Sequence, residues 1–353
     1  MLTLVKGGMG GTETYARALT REIREDTLNA RCFLPRTAAG FSEGMSEVVV
    51  PQVSAGPSTA QRLGAVASAT LRRGPIVRAL SGADVIHLPF TAEVPRLPRR
   101  AAMVTTVHDL QHRDLPELFG RAEKAYRYVM YERPARRADA VITISEFAKS
   151  SIERHLGIPP ERIHVVSLGV DTSEFVPHLG ERENFILYPA RGWAHKNHRT
   201  LIDAVEVLRR DDPALRLVLT GGGLETLGDV PDWVEVRGLV HVAELRDLYR
   251  RARMLVFPSR YEGFGLPPLE AMASGCPVAA SDAGSIPEVC GDAAVLFDPD
   301  SVEAIVAAVR ETTERSVSLQ KAGLEQVRRF TWEACARSHE DIYLALADRQ
   351  GRR

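Results

Sequence analysis

The stretch Ser259–Gly275, SRYEGFGLPPLEAMASG, combines a glycine-containing loop with the start of a helix. The apolar run MLVF just before it predicts a buried strand. Pro267 and Pro268 suit the first turn of a helix, where a missing N–H costs little. Gly275 suits the position after the last helical residue. The sequence therefore predicts a strand, a loop and a short helix over 269–274.

The loop carries groups for two kinds of ligand chemistry. Gly263 and Gly265 let backbone N–H groups approach an anion, and the helix start adds the positive end of a dipole. Glu262 and Glu270 flank the loop with seven residues between them. Carboxylates accept hydrogen bonds from hydroxyls but do not suit a phosphate. A ligand with a phosphate and many hydroxyls, such as a nucleotide-sugar, fits this pattern; ordinary solvated glutamates on a surface loop are the alternative.

Length and composition indicate a two-domain globular protein. The 353 residues exceed what one hydrophobic core usually holds, and 44% apolar with 26% charged residues is ordinary for a soluble chain. There is no apolar run of membrane-spanning length, and no signal peptide is recognisable. The four cysteines form no C-x-x-C pair, which argues against a zinc cluster and fits reduced thiols. We therefore expect a cytoplasmic protein with no nucleic-acid partner.

Positive charge is concentrated in one part of the chain. Residues 51–100 contain seven arginines and two acidic residues, although the whole chain has a net charge of −1. A solvated arginine-rich face is one interpretation. A basic face over 59–80 and 96–100 that binds an anionic membrane or an anionic acceptor is the other.

A second glycine cluster lies near the beginning of the sequence, in GGMGGTETYARAL. Four glycines precede Thr12, which suits a helix N-cap; they are Gly7, Gly8, Gly10 and Gly11. The cluster lacks the third glycine of G-x-G-x-x-G and the G-K-[ST] of a P-loop, so a tight turn and a ligand loop both remain open. The apolar run 2–5 predicts a short, or truncated, first strand.

Strands that alternate with helices bring polar residues to strand ends. The strand 103–107 is followed by His108 and Asp109, at the end where ligands collect in open α/β sheets. Asp109 and His112 are weaker candidates than His108, and His87 suits a structural role. In the second half, Arg191 and Lys196 follow the strand 185–188 and are close enough to converge on a diphosphate.

The string PSRYEGFGLPPLEAMASGCPV closely resembles the E-x7-E motif of retaining glycosyltransferases with the GT-B fold, glycosyltransferase family four, which includes bacterial mannosyl- and glucosyltransferases. VTTVHDL and the pair Arg191 and Lys196 also resemble family segments. The resemblance implies two Rossmann-like domains with parallel sheets facing across a cleft. Residues 1–176 would form the acceptor-side domain and 177–330 the nucleotide-sugar-binding domain, while a helix over 331–353 would cross back to the first domain.

The resemblance also implies roles for individual residues. Glu262 would meet the sugar hydroxyls, Glu270 the nucleotide ribose, and His108 the transferred sugar. Arg191 and Lys196 would neutralise the diphosphate. The remaining residues implied in donor binding are Gly10, Gly11, Gly238, Val240, Gly263, Phe264, Gly265 and Leu266.

The implied reaction transfers a hexose, with mannose favoured, from a nucleotide-sugar to a hydroxyl acceptor with retention of anomeric configuration. GDP-mannose and UDP-glucose are the candidate donors, and the acceptor would be a glycan, a glycolipid or a small hydroxyl compound of cell-envelope synthesis. No cofactor and no metal are expected. The D-x-D of Asp298 and Asp300 is rejected as a metal pair because Asp300 suits the N-cap of a helix over 301–309.

Two other functions remain open. One is a nucleotide-sugar epimerase, and the other is a non-catalytic nucleotide-sugar-binding subunit on the same fold. The missing dinucleotide fingerprint argues against a dehydrogenase. The protein would be cytoplasmic, with peripheral association at the inner face of the cell membrane if the basic face binds anionic lipid.

Overall fold

A computed structural model describes the chain except for residues 3, 5–9, 25, 52, 54–63, 65–66, 98–99 and 352–353. The chain divides into two compact units. The first combines Met1–Gly169 with Trp332–Arg353, and the second is Val170–Thr331. The sequence predicts boundaries at 176/177 and 330/331; in the structure the chain changes unit at 169/170 and 331/332.

The first unit is built on parallel strands. Its described strands are β1 (Arg31–Pro35), β2 (Ser46–Val50), β3 (Val85–Leu88), β4 (Ala102–Thr106), β5 (Ala140–Thr143) and β6 (Ile163–Val165). β1 pairs with β2, and the other four form a sheet of order β3-β4-β5-β6. Every residue of β4 and β5 is buried, as expected of parallel strands covered on both faces.

The helices of the first unit include the last helix of the chain. The described α-helices of the first unit are Gly11–Glu22, Arg73–Ala79, Gln111–Asp114, Arg121–Arg127, Arg133–Arg137, Glu146–Leu156 and Trp332–Gly351. The helices Arg121–Arg127 and Arg133–Arg137 are joined by a π-helical turn, Tyr128–Glu132, just before Pro134. Because Pro134 has no N–H to donate, the regular hydrogen-bond ladder cannot run through this point.

One predicted helix start is wrong. Thr12 lies inside the helix Gly11–Glu22, and Gly10 occupies the N-cap position with φ 54° and ψ −135°. Glycine adopts this backbone conformation readily, so the helix begins earlier than a threonine cap would allow. Gly7 and Gly8 lie outside the described residues, as does part of the strand expected over 2–5.

The second unit contains one six-stranded parallel sheet. Its strands are β7 (Glu183–Pro189), β8 (Arg216–Thr220), β9 (Val234–Gly238), β10 (Ala252–Phe257), β11 (Val278–Ser281) and β12 (Val295–Phe297). The order is β12-β11-β10-β7-β8-β9. The sheet therefore grows in one direction from β7 through β9 and in the other from β10 through β12, which gives a topological switch point between β7 and β10. The α-helices of this unit are His198–Leu208, Val242–Arg251, Leu266–Ala273, Ile286–Cys290, Val302–Glu314 and Ser316–Gln326.

The segment 177–182, which precedes β7, is anchored by Arg182. The guanidinium of Arg182 donates hydrogen bonds to the carbonyls of six residues, which are His178, Tyr249, Arg250, Ala252, Ser274 and Gly275. Several of these carbonyls lie at or just after the C-terminal ends of the helices Val242–Arg251 and Leu266–Ala273, where carbonyls have no partner within the helix. A charged run in the sequence does not reveal that its arginine is used in this way.

The arginine-rich part of the chain is exposed where the structure describes it. Arg72, Arg73, Arg78, Arg96 and Arg100 are exposed, whereas Arg62 and Arg99 lie outside the described residues. Exposure is compatible with a solvated face and with a binding face alike, so membrane binding stays a prediction. None of the helices in the described part of the chain has the length and hydrophobicity to cross a bilayer.

A cavity of about 530 Å³ lies in the first unit. Residues of β1 and β3 line it, together with residues from the helices Gly11–Glu22 and Trp332–Gly351. None of the residues predicted to bind a donor lines this cavity. The predicted site residues therefore lie at strand ends rather than in this cavity.

The helix Trp332–Gly351 is joined to the rest of the first unit by a buried polar chain. Nδ1 of His339 lies 2.8 Å from the carbonyl of Cys335, which can only accept, so Nδ1 carries the proton. Nε2 is then the acceptor for the Tyr15 hydroxyl at 2.7 Å. Thr106 Oγ1 lies 2.9 Å from the Tyr15 hydroxyl and donates to it.

The same chain of hydrogen bonds continues to His87. Nε2 of His87 lies 2.7 Å from Thr106 Oγ1, whose own proton is used toward Tyr15, so His87 donates there. Nδ1 of His87 accepts from the Tyr343 hydroxyl at 2.6 Å. His87 thus has a structural role, as the sequence suggests. Its imidazole is neutral, and both ring nitrogens make hydrogen bonds. Burial lowers the pKa of His339 to about 4 and holds the pKa of His87 well below its usual value.

We expect acid to destabilise the protein through this network. The unfolded chain binds a proton at His339 as pH falls below about 6.5, whereas the folded chain does not bind it until about pH 4. The free energy of unfolding should therefore fall with pH between these values, by up to about 1.4 kcal/mol per pH unit for one such proton. In His339→Gln, which cannot titrate, the unfolding midpoint followed from pH 7 to pH 4.5 should fall less steeply. Equal slopes for the variant and the wild type would contradict the assignment.

Candidate functional site

The residues predicted to bind a diphosphate and a sugar meet at the switch point of the second unit. The loop after β7 carries Arg191 and Lys196, and the loop after β10 carries Glu262 and Gly265. Because β7 and β10 are parallel neighbours, both loops leave the same edge of the sheet. In open α/β sheets this edge, at the switch point, is where ligands bind.

The central contact of the site is an ion pair between Lys196 and Glu262. Lys196 Nζ lies 2.5 Å from Glu262 Oε1, and the two side chains are 13% and 14% exposed. A pair this sheltered is less screened by water than a surface pair. The structure thus brings together one predicted phosphate ligand and one predicted sugar ligand.

The turn that carries Lys196 is fixed through its backbone. The buried Tyr188 hydroxyl donates to the carbonyl of Lys196 at 2.5 Å, and the carbonyl of His195 accepts the N–H of Arg260 at 2.8 Å. The next residue, Asn197, has φ 60° and donates from Nδ2 to the carbonyl of Pro299 at 2.6 Å. Burial lowers the pKa of His195 to about 3, so this imidazole is neutral beside the lysine.

Arg191 is placed differently from Lys196. Its half-buried guanidinium carbon lies 5.5 Å from the centre of the Trp193 ring, a cation–π arrangement. Trp193 is 54% exposed, so the side chains of Arg191 and Trp193 lie together at the surface of the loop after β7. Arg191 therefore remains a candidate phosphate ligand because it lies in the loop after β7, and not because of a contact with Lys196.

The helix after the glycine loop begins three residues earlier than predicted. It spans Leu266–Ala273, with Pro267 and Pro268 in its first turn as expected, and Gly265 precedes it with φ 112°. The two prolines have no N–H, so Gly265 and Leu266 supply the N–H groups at this helix end. A ligand anion at this end would therefore meet two backbone donors and the positive end of the helix dipole.

Glu270 is held by a tyrosine that sequence reasoning missed. The hydroxyl of Tyr249 donates to Glu270 Oε2 at 2.8 Å, and Tyr249 is fully buried. Burial raises the pKa of the Glu270 carboxyl. Glu270 is the fifth residue of its helix, so it lies in the second turn rather than in the first.

Gly238 and Val240 lie at the carboxyl end of β9. Gly238 is the last residue of β9, has φ 63°, and accepts the N–H of Gly221 at 2.7 Å. Leu239 is 79% exposed and lies against Gly222, while Val240 is half-buried.

The first unit carries the other predicted residues. His108 follows β4, its Nε2 lies 3.3 Å from the carbonyl of Pro89, and its ring packs edge-on against Tyr15 with centroids 5.1 Å apart. Burial lowers the pKa of His108, so its imidazole is neutral at pH 7. Gly10 and Gly11 lie at the start of the helix Gly11–Glu22.

The weaker candidates near His108 have local structural roles. Asp109 Oδ1 accepts the N–H of Gln111 at 3.0 Å, which is a turn contact. Nε2 of the buried His112 lies 3.0 Å from Oε1 of Glu132, a carboxylate that also accepts from Arg113. These partners account for both residues without a ligand.

Comparisons with known proteins identify the family. Residues 9–174 match the model described as Glycosyltransferase Family 4, and residues 183–315 match the model described as Glycosyl transferases group 1. O-antigen chain mannosyltransferase B of Escherichia coli is 31% identical over 277 residues, which cover 71% of this chain and 72% of that protein. The chain belongs to glycosyltransferase family 4.

Another relative and a solved structure agree with this membership. The MMP alpha-(1->4)-mannosyltransferase of Mycolicibacterium hassiacum is 34% identical over 237 residues, which cover 61% of this chain and 56% of that protein. The Anabaena protein Alr3699/HepE, solved in complex with UDP and glucose, superimposes with a TM-score of 0.68 at 16% identity, covering 97% of this chain and 98% of that chain. At this identity the likeness shows the fold, and the glycosyltransferase therefore has the GT-B fold that its sequence predicts.

The D-x-D sequence of this glycosyltransferase is used for structure, but not as predicted. Ser301, rather than Asp300, caps the helix Val302–Glu314 by accepting the N–H of Ala304 at 3.1 Å. Asp300 instead pairs with Arg260 at 2.5 Å, and Asp298 accepts the N–H of Asp300 at 2.9 Å. Throughout the described residues, no group of three or more His, Cys, Asp or Glu side chains is arranged to hold a metal ion.

We predict that the glycosyltransferase does not tolerate a side chain at Gly265. Alanine would hold an unfavourable φ of 112°, and its Cβ would lie 2.6 Å from Cδ1 of Ile286. Gly265→Ala should lower the free energy of unfolding by about 1–3 kcal/mol in urea unfolding. Ile286→Val removes Cδ1. In the double variant, only the part of the lost free energy of unfolding that is due to the contact between Cβ and Cδ1 should be recovered.

Gly74→Ala is the matched control for this prediction. Gly74 lies in the helix Arg73–Ala79 and has open space around an added Cβ. Its substitution should leave stability unchanged or raise it by about 0.5–1 kcal/mol. A Gly265→Ala variant as stable as Gly74→Ala would contradict the geometry of the loop.

Proposed function

We propose that the protein is a retaining hexosyltransferase that moves a hexose, with mannose preferred, from a nucleotide-sugar to a hydroxyl acceptor. The observation that carries the proposal is the contact of Lys196 with Glu262 at the switch point, beside the N-terminus of the helix Leu266–Ala273. A cation and backbone N–H groups suit a diphosphate, and the carboxylate beside them suits sugar hydroxyls. A nucleotide-sugar is the ligand that offers both.

The proposed chemistry needs no covalent intermediate on the protein. The bond between the anomeric carbon and the phosphate oxygen breaks, and the acceptor oxygen bonds to the same face of that carbon. The proton of the acceptor hydroxyl passes to an oxygen of the leaving phosphate. Negative charge grows on the diphosphate during this step, and Arg191, Lys196 and the N–H groups of Gly265 and Leu266 would stabilise it.

The two glutamates would act on different parts of the donor, and His108 would act on the same part as Glu262. Glu262 would accept hydrogen bonds from the sugar hydroxyls and favour the positive charge that develops on the ring. Glu270, whose carboxyl is already held by Tyr249, would meet the ribose. His108, a neutral imidazole, would hydrogen-bond to the transferred sugar. Backbone and apolar contacts to the donor are proposed for Gly10, Gly11, Gly238, Val240, Gly263 and Phe264.

The relatives suggest which donors to test first. Two of them are named as mannosyltransferases, which supports GDP-mannose as the first donor to test. The Anabaena structure contains UDP and glucose, so a UDP-sugar is the second. The name of one relative refers to the O-antigen chain, which supports a glycan or glycolipid acceptor in cell-envelope synthesis. A cytoplasmic location with peripheral contact at the membrane is part of the proposal.

We expect transfer without a divalent metal. The protein is incubated with GDP-mannose or UDP-glucose, octyl α-mannoside and excess EDTA, and the product is examined by mass spectrometry and NMR. The expected product is a glycoside with the anomeric configuration of the donor. Complete loss of turnover in EDTA, restored by magnesium or manganese, would contradict metal independence, and an inverted product would contradict retention.

The same assay discriminates the two alternative functions. An epimerase would convert the donor sugar without transferring it to the acceptor. A non-catalytic subunit would bind the nucleotide-sugar in a calorimeter and yield neither product. Either result would replace the transferase proposal.

We further predict that the two glutamates of the motif affect different kinetic constants. Glu270→Ala should raise the donor KM about tenfold and leave kcat nearly intact, because the ribose does not change during the reaction. Glu262→Ala should lower kcat by about 10²–10³-fold, because the contact strengthens as the sugar gains charge. Free nucleoside diphosphate should bind Glu262→Ala at least as tightly as the wild type, since Lys196 loses a competing carboxylate. Wild-type turnover by Glu262→Ala with saturating donor would show that Glu262 does not act on the reacting sugar.

A further inference from the structure

Ser285 contacts the glycine loop from the turn that follows β11. Its side chain is fully buried, and its hydroxyl lies 2.7 Å from the carbonyl of Phe264 and 3.1 Å from the carbonyl of Glu262. The backbone N–H of Ser285 also donates to the Glu262 carbonyl at 3.3 Å. One serine therefore holds the carbonyls of the two residues on either side of Gly263.

The residues on either side of Ser285 pack against the same loop. A Cβ added to Gly284 would lie 2.9 Å from both the nitrogen and the oxygen of Glu262, so the two backbones touch there. Cδ1 of Ile286 occupies the space beside Gly265. Three consecutive residues thus fit against the loop from Glu262 to Gly265, and we name the segment Gly284–Ile286 the loop brace.

The beginning of the loop is held separately. The hydroxyl of Ser281, at the end of β11, donates to the carbonyl of Ser259 at 2.6 Å. Ser281 is as buried as Ser285. Ser281 and Ser285 thus each donate to a carbonyl of this loop, Ser281 near its beginning and Ser285 in its glycine part. Only the second contacts the residue that carries the candidate sugar ligand.

A loop with two glycines in three positions needs such external contacts to keep one conformation. Glycine has more backbone freedom to lose than any other residue, so Gly263 and Gly265 do not fix the direction of the Glu262 side chain or of the helix N–H groups by themselves. Catalytic groups displaced by about 1 Å can lose about a hundredfold in rate. The hydroxyl of Ser285 is placed to prevent that displacement.

We propose that Ser285 is a positioning residue, which fixes the Glu262 and Phe264 carbonyls so that the Glu262 carboxylate and the N–H groups of Gly265 and Leu266 meet the donor in the reactive geometry. The proposal rests on the donor site proposed above. It assigns to Ser285 no contact with the donor itself, and it distinguishes Ser285 from the equally buried Ser281.

The kinetic test compares Ser285→Ala with Ser281→Ala at saturating acceptor. Each variant loses one buried serine hydroxyl, so both should lower the unfolding midpoint by similar amounts. Ser285→Ala should lower kcat by about tenfold to a hundredfold with donor KM within about threefold, whereas Ser281→Ala should keep kcat within about twofold of the wild type. Equal losses of kcat in the two variants would overturn the proposal, as would a Ser285→Ala variant with wild-type kcat.

A second measurement does not depend on activity. Amide hydrogen exchange should become faster at residues 262–266 in Ser285→Ala and at the start of the loop in Ser281→Ala. If no donor supports transfer by the wild type, the proposed function fails while the exchange pattern still tests the loop brace. Unchanged exchange at 262–266 in Ser285→Ala would overturn the loop brace even if transfer is confirmed.

A further variant covers the case in which Ser285→Ala does not fold. Gly284→Ala keeps the serine hydroxyl but pushes a Cβ against the backbone of Glu262. It should lower kcat by more than tenfold, because the displaced loop carries both the Glu262 carboxylate and the N–H groups of Gly265 and Leu266. A wild-type kcat in Gly284→Ala would mean that the position of the loop does not limit the reaction.

Discussion

The ammonium of Lys196 and the carboxylate of Glu262 meet at 2.5 Å although the two residues are 66 positions apart. Their meeting depends on the order of the sheet, because β7 and β10 are parallel neighbours and their following loops leave the same edge. If β10 paired elsewhere, each charge would be sheltered from water without its partner, which costs several kcal/mol. The composition of the candidate site therefore depends on the strand order of the second unit.

Besides the exposed ion pair of Arg260 with Asp300, both loops at this edge are held mainly through backbone groups. Tyr188 holds the carbonyl of Lys196, the N–H of Arg260 joins the two loops, and Ser285 holds the glycine part. Arg182 gathers carbonyls at the ends of the helices that carry Tyr249 and Glu270. Neutral hydroxyls and backbone groups fix the loops without adding charge, so the Lys196–Glu262 pair remains the main charge pair described at this edge and is available to a ligand.

Local pattern predicted the strands before His108, before Arg191 and before the glycine loop, together with the prolines at the start of the helix Leu266–Ala273, because each follows from neighbours in sequence. The errors concern choices made by distant parts of the chain. Thr12 and Asp300 have good cap chemistry, but Gly10 and Ser301 occupy those caps, and Asp300 is taken by Arg260. Tyr249 and Ser285 give no local signal, since their partners Glu270 and Glu262 are 21 and 23 positions away. The family resemblance supplied the roles of the motif residues but not the side chains that hold them.

The ion pair between Lys196 and Glu262 would also make the proposed donor and the nucleoside diphosphate product bind differently. A free nucleoside diphosphate can bind Lys196 only in competition with Glu262, and it offers nothing to the carboxylate that it displaces. An intact nucleotide-sugar offers phosphate to the lysine and hydroxyls to the glutamate, so it satisfies both groups at once. After transfer the sugar leaves Glu262, whose carboxylate then competes again for Lys196. The ion pair between Lys196 and Glu262 leaves neither of these two sheltered charges without a partner. The same ion pair would therefore favour release of the diphosphate product.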